Sequence, residues 1–415
     1  MFKRVFQVVF WLLLPMAIAA LSFSSPAYAL TDEQKLFNEV WRLVDRSYVD
    51  ETFNHQNWWL VRQKALSKPF ANREEAYEAI SRMLKSLDDP FTRFLKPDQY
   101  QNLQVTTSGE LTGVGLQIAI EAQTGILTVI APIAGSPAEA AGIQPFDRIV
   151  AIDGYSTQEM TLEEAADRMR GPAGTRVTLL VERDEQGANP VEVVRDRITL
   201  NPVYADVRSV SAGEKSLPVG YIRLSQFNAY ATPELTQAIN KLETQGAKAY
   251  ILDLRNNPGG LLQAGIEIAR LWLDNGTIVY VVNRQGIFDS FDATGTALTQ
   301  APLVVLVNHG TASSSEILAG ALHDNHRAIL VGEKTFGKGL IQSLFDLSDG
   351  SGLAVTIAKY ETPDRQDINK LGIQPDREVV SQTPILPTQI ATDADPQYQA
   401  AIELLTQGSL LADAA

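Results

Sequence analysis

Apolar positions in the second half of the chain fall into short continuous runs separated by stretches of helical spacing. Leu303–Val307 is apolar and largely β-branched, with Pro302 before it and Asn308-His309-Gly310 after it, which predicts a buried strand. Ser313-Ser314-Ser315 and Glu316 follow. Ile317, Leu318, Ala321 and Leu322 then recur at helical spacing, so Ser313 belongs at a helix N-cap or in its first turn. A serine there lies beside unpaired backbone N–H groups at the positive end of the helix dipole, a setting that suits an oxygen acquiring negative charge. Residues 328–331 predict the next strand, which runs into Gly332-Glu333-Lys334-Thr335-Phe336-Gly337-Lys338-Gly339. Upstream, residues 219–224 and 249–254 read as strands with a helix over 233–243 between them, an α/β alternation. The second of these strands leads to Asn256-Asn257-Pro258-Gly259-Gly260, whose glycines let backbone N–H groups come close to a substrate.

The first half has two other textures. Residues 30–104 predict helices: Thr31 and Gln34 form a capping box before Leu36, Phe37, Val40, Trp41 and Val44, and Asn72 with Glu75 repeats the device before Ala76, Ile80, Met83, Leu84 and Leu87. Asp89-Pro90 is expected to end that second helix, and Trp58-Trp59 reads as packing. Residues 105–198 change to short strands and glycines, with 184–190 as a polar linker or hairpin tip. Residues 199–380 form the α/β part. The tail, 381–415, carries a short helix from Pro396 with Asp395 as cap and Gly408 as stop, and has no assignable function.

Residues 1–29 read as an address. Lys3 and Arg4 precede a nearly wholly apolar stretch over 5–21, and Ala27-Tyr28-Ala29 fits the small-x-small cleavage rule, so the mature chain is expected to begin at Leu30. A retained membrane anchor is the alternative, because the stretch is close to spanning length. Export implies an oxidising compartment, yet the chain has no cysteine, so its cores alone must hold it and a cysteine nucleophile is excluded. The formal net charge of −14 disfavours nucleic acid and anionic membrane as partners.

The candidate chemistry joins Ser313 to Lys338. A serine hydroxyl needs a base, and lysine can serve only as the neutral amine. From an ordinary pKa near ~10.4, lowering it to about 7 or 8 takes roughly 3–5 kcal/mol of differential desolvation. A glycine-flanked loop with no acid adjacent to Lys338 permits that, and neutral Gln342 can orient the amine without restoring its charge. Taken singly, Ser313 is a capping serine and Lys338 a solvated turn lysine. Two other readings compete. Gly332–Gly339 matches the spacing of a phosphate-cradling loop, but Gly339 stands where a Ser or Thr hydroxyl should meet magnesium. A histidine base would have to come from His55, His309, His323 or His326, the chain's four histidines.

TAS-x-SEILAGAL over 311–322, Asp324-Asn325, GEKTFGKG with Gln342, and ILDLRNNPGG upstream together resemble the carboxyl-terminal processing peptidases, serine proteases with a Ser–Lys dyad. That resemblance implies Ser313 as nucleophile, Lys338 as base, Gln342 as its partner, and an oxyanion hole from Ser314 N–H with Gly259 or Gly260. It implies no metal or cofactor. Relatives usually carry alanine where Ser314 stands, and Asp324 matches an acid that relatives retain, read here as structural. In 105–198, the series Gly113-Val114-Gly115-Leu116, Ser136-Pro137-Ala138, Ala141-Gly142, Asp147-Arg148-Ile149, Asp153-Gly154 and Arg170-Gly171 resembles a PDZ domain, with Val114, Gly115 and Leu116 as the carboxylate loop. Arg170 matches an arginine that in relatives links peptide binding to the active site; a surface arginine is the plain reading. The expected architecture is a multidomain α+β chain: helical N-terminal domain, PDZ domain, and a crotonase-like α/β serine peptidase domain. The expected activity is an exported endopeptidase that removes a C-terminal extension from a protein with a free, unstructured C-terminus. The likeness is nearest to cyanobacterial and chloroplast members that mature the precursor of the photosystem II reaction-centre core protein in the thylakoid lumen; the same signal fits a periplasm. A non-catalytic PDZ adaptor or chaperone is the competing class.

Overall fold

The structure, a computed structural model, describes residues 30–121, 124–183, 187–212, 215–381 and 385–406. The leader with its cleavage site, Gly408 and residues 184–186 lie outside them. The chain divides into two units, one running through Pro97 with Ser343–Val355 added, the other holding Asp98–Gln342 and the residues from Thr356 onward.

In the first unit, α1 (Asp32–Ser47) and α3 (Arg73–Lys85) form as the periodicity requires, with the short α2 (Trp58–Ala65) between them. Thr31 and Gln34 make the full capping box, whereas Asn72 caps Glu75 N–H while the Glu75 carboxylate turns to Ala71 N–H. The helix ends at Lys85, ahead of Asp89-Pro90, because Asp88 takes a left-handed φ of 54°. Trp58 is packing, stacked on Phe53 and Trp41; Trp59 is exposed. Strand β1 (Arg93–Leu95) pairs antiparallel with Gly352–Ala354.

Helix α4 (Pro97–Ser108) follows and outruns the expected change of texture at residue 105. Next come β2 (Glu110–Gly113), β3 (Leu116–Ile120), β4 (Leu127–Pro132), α5 (Pro137–Ala140), β5 (Arg148–Ile152), β6 (Tyr155–Ser156), α6 (Leu162–Met169), β7 (Arg176–Glu182), β8 (Ala188–Val194) and β9 (Asp196–Thr199). The antiparallel sheet runs β3-β4-β5-β7-β8, with β3 at one edge and β6 on β5. Its core is Val114, Leu127, Val129, Ile149, Ile152, Val177, Leu179 and Val193. Strands β7 and β8 pair through Glu182 and Ala188, which makes the expected polar connection a hairpin.

The α/β part follows: β10 (Val203–Ala212), β11 (Lys215–Leu224), α7 (Ala231–Thr244), β12 (Ala249–Asp253), α8 (Leu262–Arg270), β13 (Thr277–Asn283), β14 (Gly286–Asp292), β15 (Leu303–Val307), α9 (Ser314–Asp324), β16 (Ile329–Gly332), β17 (Leu340–Asp346), β18 (Gly352–Glu361), β19 (Arg377–Glu378) and α10 (Pro396–Thr406). Sheet order is β10-β11-β12-β15-β16-β19, parallel from β11 onward with β10 antiparallel at the edge. A sheet covered on both faces explains why Leu303–Val307 and Ala249–Asp253 are buried at every position. One face packs Leu252, Leu254, Val305 and Val307 against helical residues such as Ile239, Ile268, Leu318 and Leu322. The other packs Ile251, Val304 and Leu306 against Tyr398, Ala401 and Leu405 of α10. The tail helix is therefore part of the core. Its cap Asp395 forms a buried ion pair with Arg255, which also pairs with Asp253.

Candidate active site

Strand β15 ends at Val307, and a tight turn carries the chain into α9. Ser313 occupies the N-cap with φ 57° and ψ −120°, a left-handed conformation that costs a residue with a Cβ roughly 1–3 kcal/mol. Both sides of the turn are pinned. Ser313 N–H donates to Glu316 Oε2 at 2.9 Å, and Ser313 C=O accepts from Glu316 N–H at 2.7 Å and from the Tyr360 phenol at 3.1 Å. The Ser313 side chain makes no cap hydrogen bond. The plain capping reading thus fails at the side chain, and a half-buried hydroxyl is left for other work.

The loop between β16 and β17 reaches the same turn. Phe336 N–H donates to Thr311 C=O at 3.0 Å, and Glu316, fully buried, accepts from Gly337 N–H at 2.7 Å, Lys338 N–H at 2.9 Å and the Thr335 hydroxyl at 2.5 Å. Ser313 and Lys338 therefore hang their backbone N–H groups on one oxygen, Glu316 Oε2. Lys338 is half-buried. The expectation that no acid lies beside Lys338 holds along the chain but not in space, because folding brings this carboxylate to its backbone. Tyr360 adds a second tie, its N–H donating to Gly339 C=O at 3.0 Å. Burial, then the charge of Glu316, pushes the Tyr360 phenol well above its ordinary pKa, so it stays a neutral donor.

The glycine loop completes the group. A Cβ on Gly259 (φ 94°) would stand 2.6 Å from Ala312 C=O and 2.9 Å from both Ser313 Cβ and Ser314 N; one on Gly260 (φ 147°) would stand 2.2 Å from Phe227 C=O. Only glycine fits either position. Gly259 N–H is engaged by Asn257 Oδ1 at 2.9 Å. The N–H groups of Gly260 and Ser314 have no acceptor among the described residues. The Ser314 hydroxyl, where relatives usually carry alanine, is buried and donates to Gly260 C=O at 3.1 Å.

Comparison with known proteins agrees with this geometry. The model of peptidase family S41 matches residues 218–379, and a PDZ domain model matches residues 128–183. A carboxyl-terminal-processing protease of Picosynechococcus sp. is 62% identical over 93% of this chain and 92% of its own length. Another, from Synechocystis sp., is 60% identical over 99% of this chain and 95% of its own. The chain belongs to peptidase family S41. Among solved structures, a photosystem II D1 C-terminal processing protease is 42% identical, with TM-score 0.58, over 89% of this chain and all of that one. This S41 peptidase is thus a serine-type peptidase, a hydrolase whose substrate is a protein, in a multidomain architecture with a PDZ domain.

Gln342 lies on β17, its amide 3.5 Å from the Thr356 hydroxyl on β18. Asp324 is structural in its contacts, bonding His323 at 2.7 Å and Asp364 N–H at 3.1 Å from the end of α9. His323 also meets Asp376, and exposed His309 pairs with Glu333 at 3.1 Å. His309 and Glu333 line a cavity with Arg223, Arg255 and Gln397 that includes neither Ser313 nor Lys338. Among the described residues no cluster of three or more His, Cys, Asp or Glu is placed to hold a metal ion.

In the PDZ domain of this S41 peptidase, β3 is an edge strand, the element that strand addition requires. Val114 belongs to the core. Gly115 takes φ 81° and turns its C=O to Ile133 N–H and the Ser136 hydroxyl. Arg170 pairs with Asp167 on the surface at 3.0 Å. The arginine that shapes this region is Arg195, buried, donating to the carbonyls of Met169, Arg168 and Arg176. Sequence reading missed Arg195, and it gave Glu316 only a capping role; the Ser-x-x-Glu spacing was the one signal available for the latter.

Proposed function

We propose that this S41 peptidase cuts a protein near its C-terminus, with Ser313 as nucleophile and Lys338 as general base. The PDZ domain takes the substrate's free carboxylate at Val114, Gly115 and Leu116 and pairs the tail along β3, with Arg170 at the domain's helix end. The neutral Lys338 amine removes the Ser313 proton as Oγ attacks the scissile carbonyl. Ser314 N–H and the Gly259-Gly260 loop hold the oxyanion, Gly260 with its N–H open and Gly259 by releasing Asn257. The Lys338 ammonium protonates the leaving amine, and an ester to Ser313 remains. Lys338 then deprotonates water, which hydrolyses the ester and regenerates the enzyme. Gln342 orients the amine from β17.

The observation that carries this reading is the shared acceptor. Glu316 Oε2 takes both Ser313 N–H and Lys338 N–H, so the backbone of a serine on a strained turn and that of the glycine-flanked lysine of a separate loop are held to one oxygen. The names of the relatives support C-terminal processing. The solved relative, named for the photosystem II D1 protein, supports that precursor as substrate and hence an exported chain in the thylakoid lumen or periplasm. Among the described residues no helix is long and apolar enough to cross a membrane.

The test uses a peptide with the precursor's C-terminal extension, supplied with a free or an amidated C-terminus. Processing of the free form, slowed by amidation and absent in Ser313→Ala, is expected. Binding without turnover in the wild type would leave the adaptor class standing instead.

A further inference from the structure

The carbonyl of Ser313 carries more donors than a helix start supplies. At an ordinary N-cap this oxygen takes intrahelical N–H groups alone. Here Glu316 N–H at 2.7 Å and Ile317 N–H at 3.0 Å are joined by the Tyr360 phenol at 3.1 Å. Tyr360 reaches the carbonyl from β18, in a different sheet from β15, and is 1% exposed within the core of the α/β part. Phenylalanine would fill that space with no polar group to satisfy, and the carbonyl would keep both helical donors. The third bond is therefore not needed to satisfy the carbonyl, and its effect falls on the peptide unit to which the carbonyl belongs.

That unit, between Ser313 and Ser314, is planar and trans, so its C=O and N–H point in opposite directions and turn together. The N–H is that of Ser314, which has no acceptor among the described residues. It lies beside the glycine loop, where a Cβ on Gly259 would stand 2.9 Å from Ser314 N. Holding the carbonyl fixes the direction of this N–H, and a donor on the carbonyl draws electron density from the nitrogen and makes the N–H the stronger donor in its turn.

We infer that Tyr360 is a positioning residue for the oxyanion hole: acting through the Ser313 carbonyl, its phenol aims Ser314 N–H and strengthens it as a donor to the oxygen of the tetrahedral intermediate. It touches no substrate. The inference rests on the reading of Ser313 as nucleophile with Ser314 N–H in the oxyanion hole, and it adds the group that holds that N–H in place. Burial, then the charges of Glu316 and Asp367, keep the phenol protonated, so the donor persists wherever Lys338 works as a base.

The experiment measures kcat and KM for a free-carboxylate peptide in the full chain, the inhibition constant of the matching peptide aldehyde, and thermal unfolding. The aldehyde reports on the hole directly: Ser313 Oγ bonds to its carbonyl carbon, the Oγ proton passes to Lys338, and the carbonyl oxygen takes the negative charge. Ser313→Ala tests the underlying reading, which fails if that variant still turns substrate over, whatever Tyr360 does. With Ser313→Ala inactive, Tyr360→Phe is expected to lower kcat about 10-fold or more and to weaken the aldehyde by a similar factor, while KM stays within about threefold. A role in packing alone would lower the unfolding temperature and leave the aldehyde's affinity where it was. A folded Tyr360→Phe with kcat and aldehyde affinity within about threefold of wild type overturns the inference. So does a loss confined to KM, or a loss of kcat that spares the aldehyde. Should Tyr360→Phe unfold, a ring-fluorinated tyrosine at position 360, a stronger donor of nearly the same shape, decides. Aldehyde binding tighter by about twofold or more at unchanged KM supports the inference, and unchanged or weaker binding overturns it.

Discussion

The Ser314 hydroxyl is bonded to the Gly260 carbonyl at 3.1 Å, which fastens the first residue of the helix behind the nucleophile to the glycine loop in front of it. The backbone N–H of Ser314 is independent of that bond. Ser314→Ala is therefore expected to keep kcat within about fivefold of wild type while lowering stability by about 1 kcal/mol, the worth of one buried hydrogen bond. Peptide turnover and urea unfolding check the two halves separately.

Gly260→Ala should behave in the opposite way. Its Cβ would meet Phe227 C=O at 2.2 Å at a φ of 147°, so the loop must move off the serine. A loss of about 100-fold or more in kcat is expected, with a stability cost of about 2–4 kcal/mol. Steady-state kinetics beside a melting curve would detect both.

The Arg255 cluster holds the tail helix to the sheet. Arg255 donates to Asp253 and Asp395, at 2.6 Å and 2.8 Å for its Nη2, and all three residues are buried. Arg255→Ala leaves two buried carboxylates facing each other and should cost about 3–5 kcal/mol. Burial alone would raise the Asp395 carboxyl, but Arg255 and two backbone N–H groups override it and hold the pKa below its ordinary value. A lowered folded pKa contributes stability above the unfolded value of about 3.9, and that contribution is lost as pH falls through the folded value. Wild type should lose more stability than Asp395→Asn between about pH 5 and pH 3, and Asp395→Asn should be the weaker at pH 7. Denaturant titrations at each pH measure the difference.

Histidine is expected to take no part in the chemistry. His309 is exposed, paired with Glu333, and lines a different cavity. His309→Ala should keep kcat within about threefold and leave the pH–rate profile in place. A limb of the profile that disappears in this variant would make His309 the base.

What was legible in the sequence was whatever is local. The strand–turn–helix around Ser313 and the run of parallel strands were readable because a doubly covered sheet makes every strand position apolar and α9 repeats its apolar residues at helical spacing. The left-handed φ of Ser313 was not readable, since nothing in a serine announces it. Glu316 looked like a cap because only its bond to Ser313 is local; its bonds to Thr335, Gly337 and Lys338 exist only once β16 lies beside β15. The same holds for Asp395, whose partner Arg255 lies far back in the chain, and for Arg195, whose acceptors are carbonyls and leave no compositional mark. The tail had no assignable function in the sequence because the sheet face its helix covers is visible only in three dimensions.

The base assignment is tested most directly by the turnover number of Lys338→Ala against wild type, read by mass spectrometry of a peptide with a free C-terminus. With Lys338 taking the Ser313 proton, the variant should fall by at least about 10³-fold while remaining folded. A folded Lys338→Ala that cleaves within about tenfold of wild type contradicts the account.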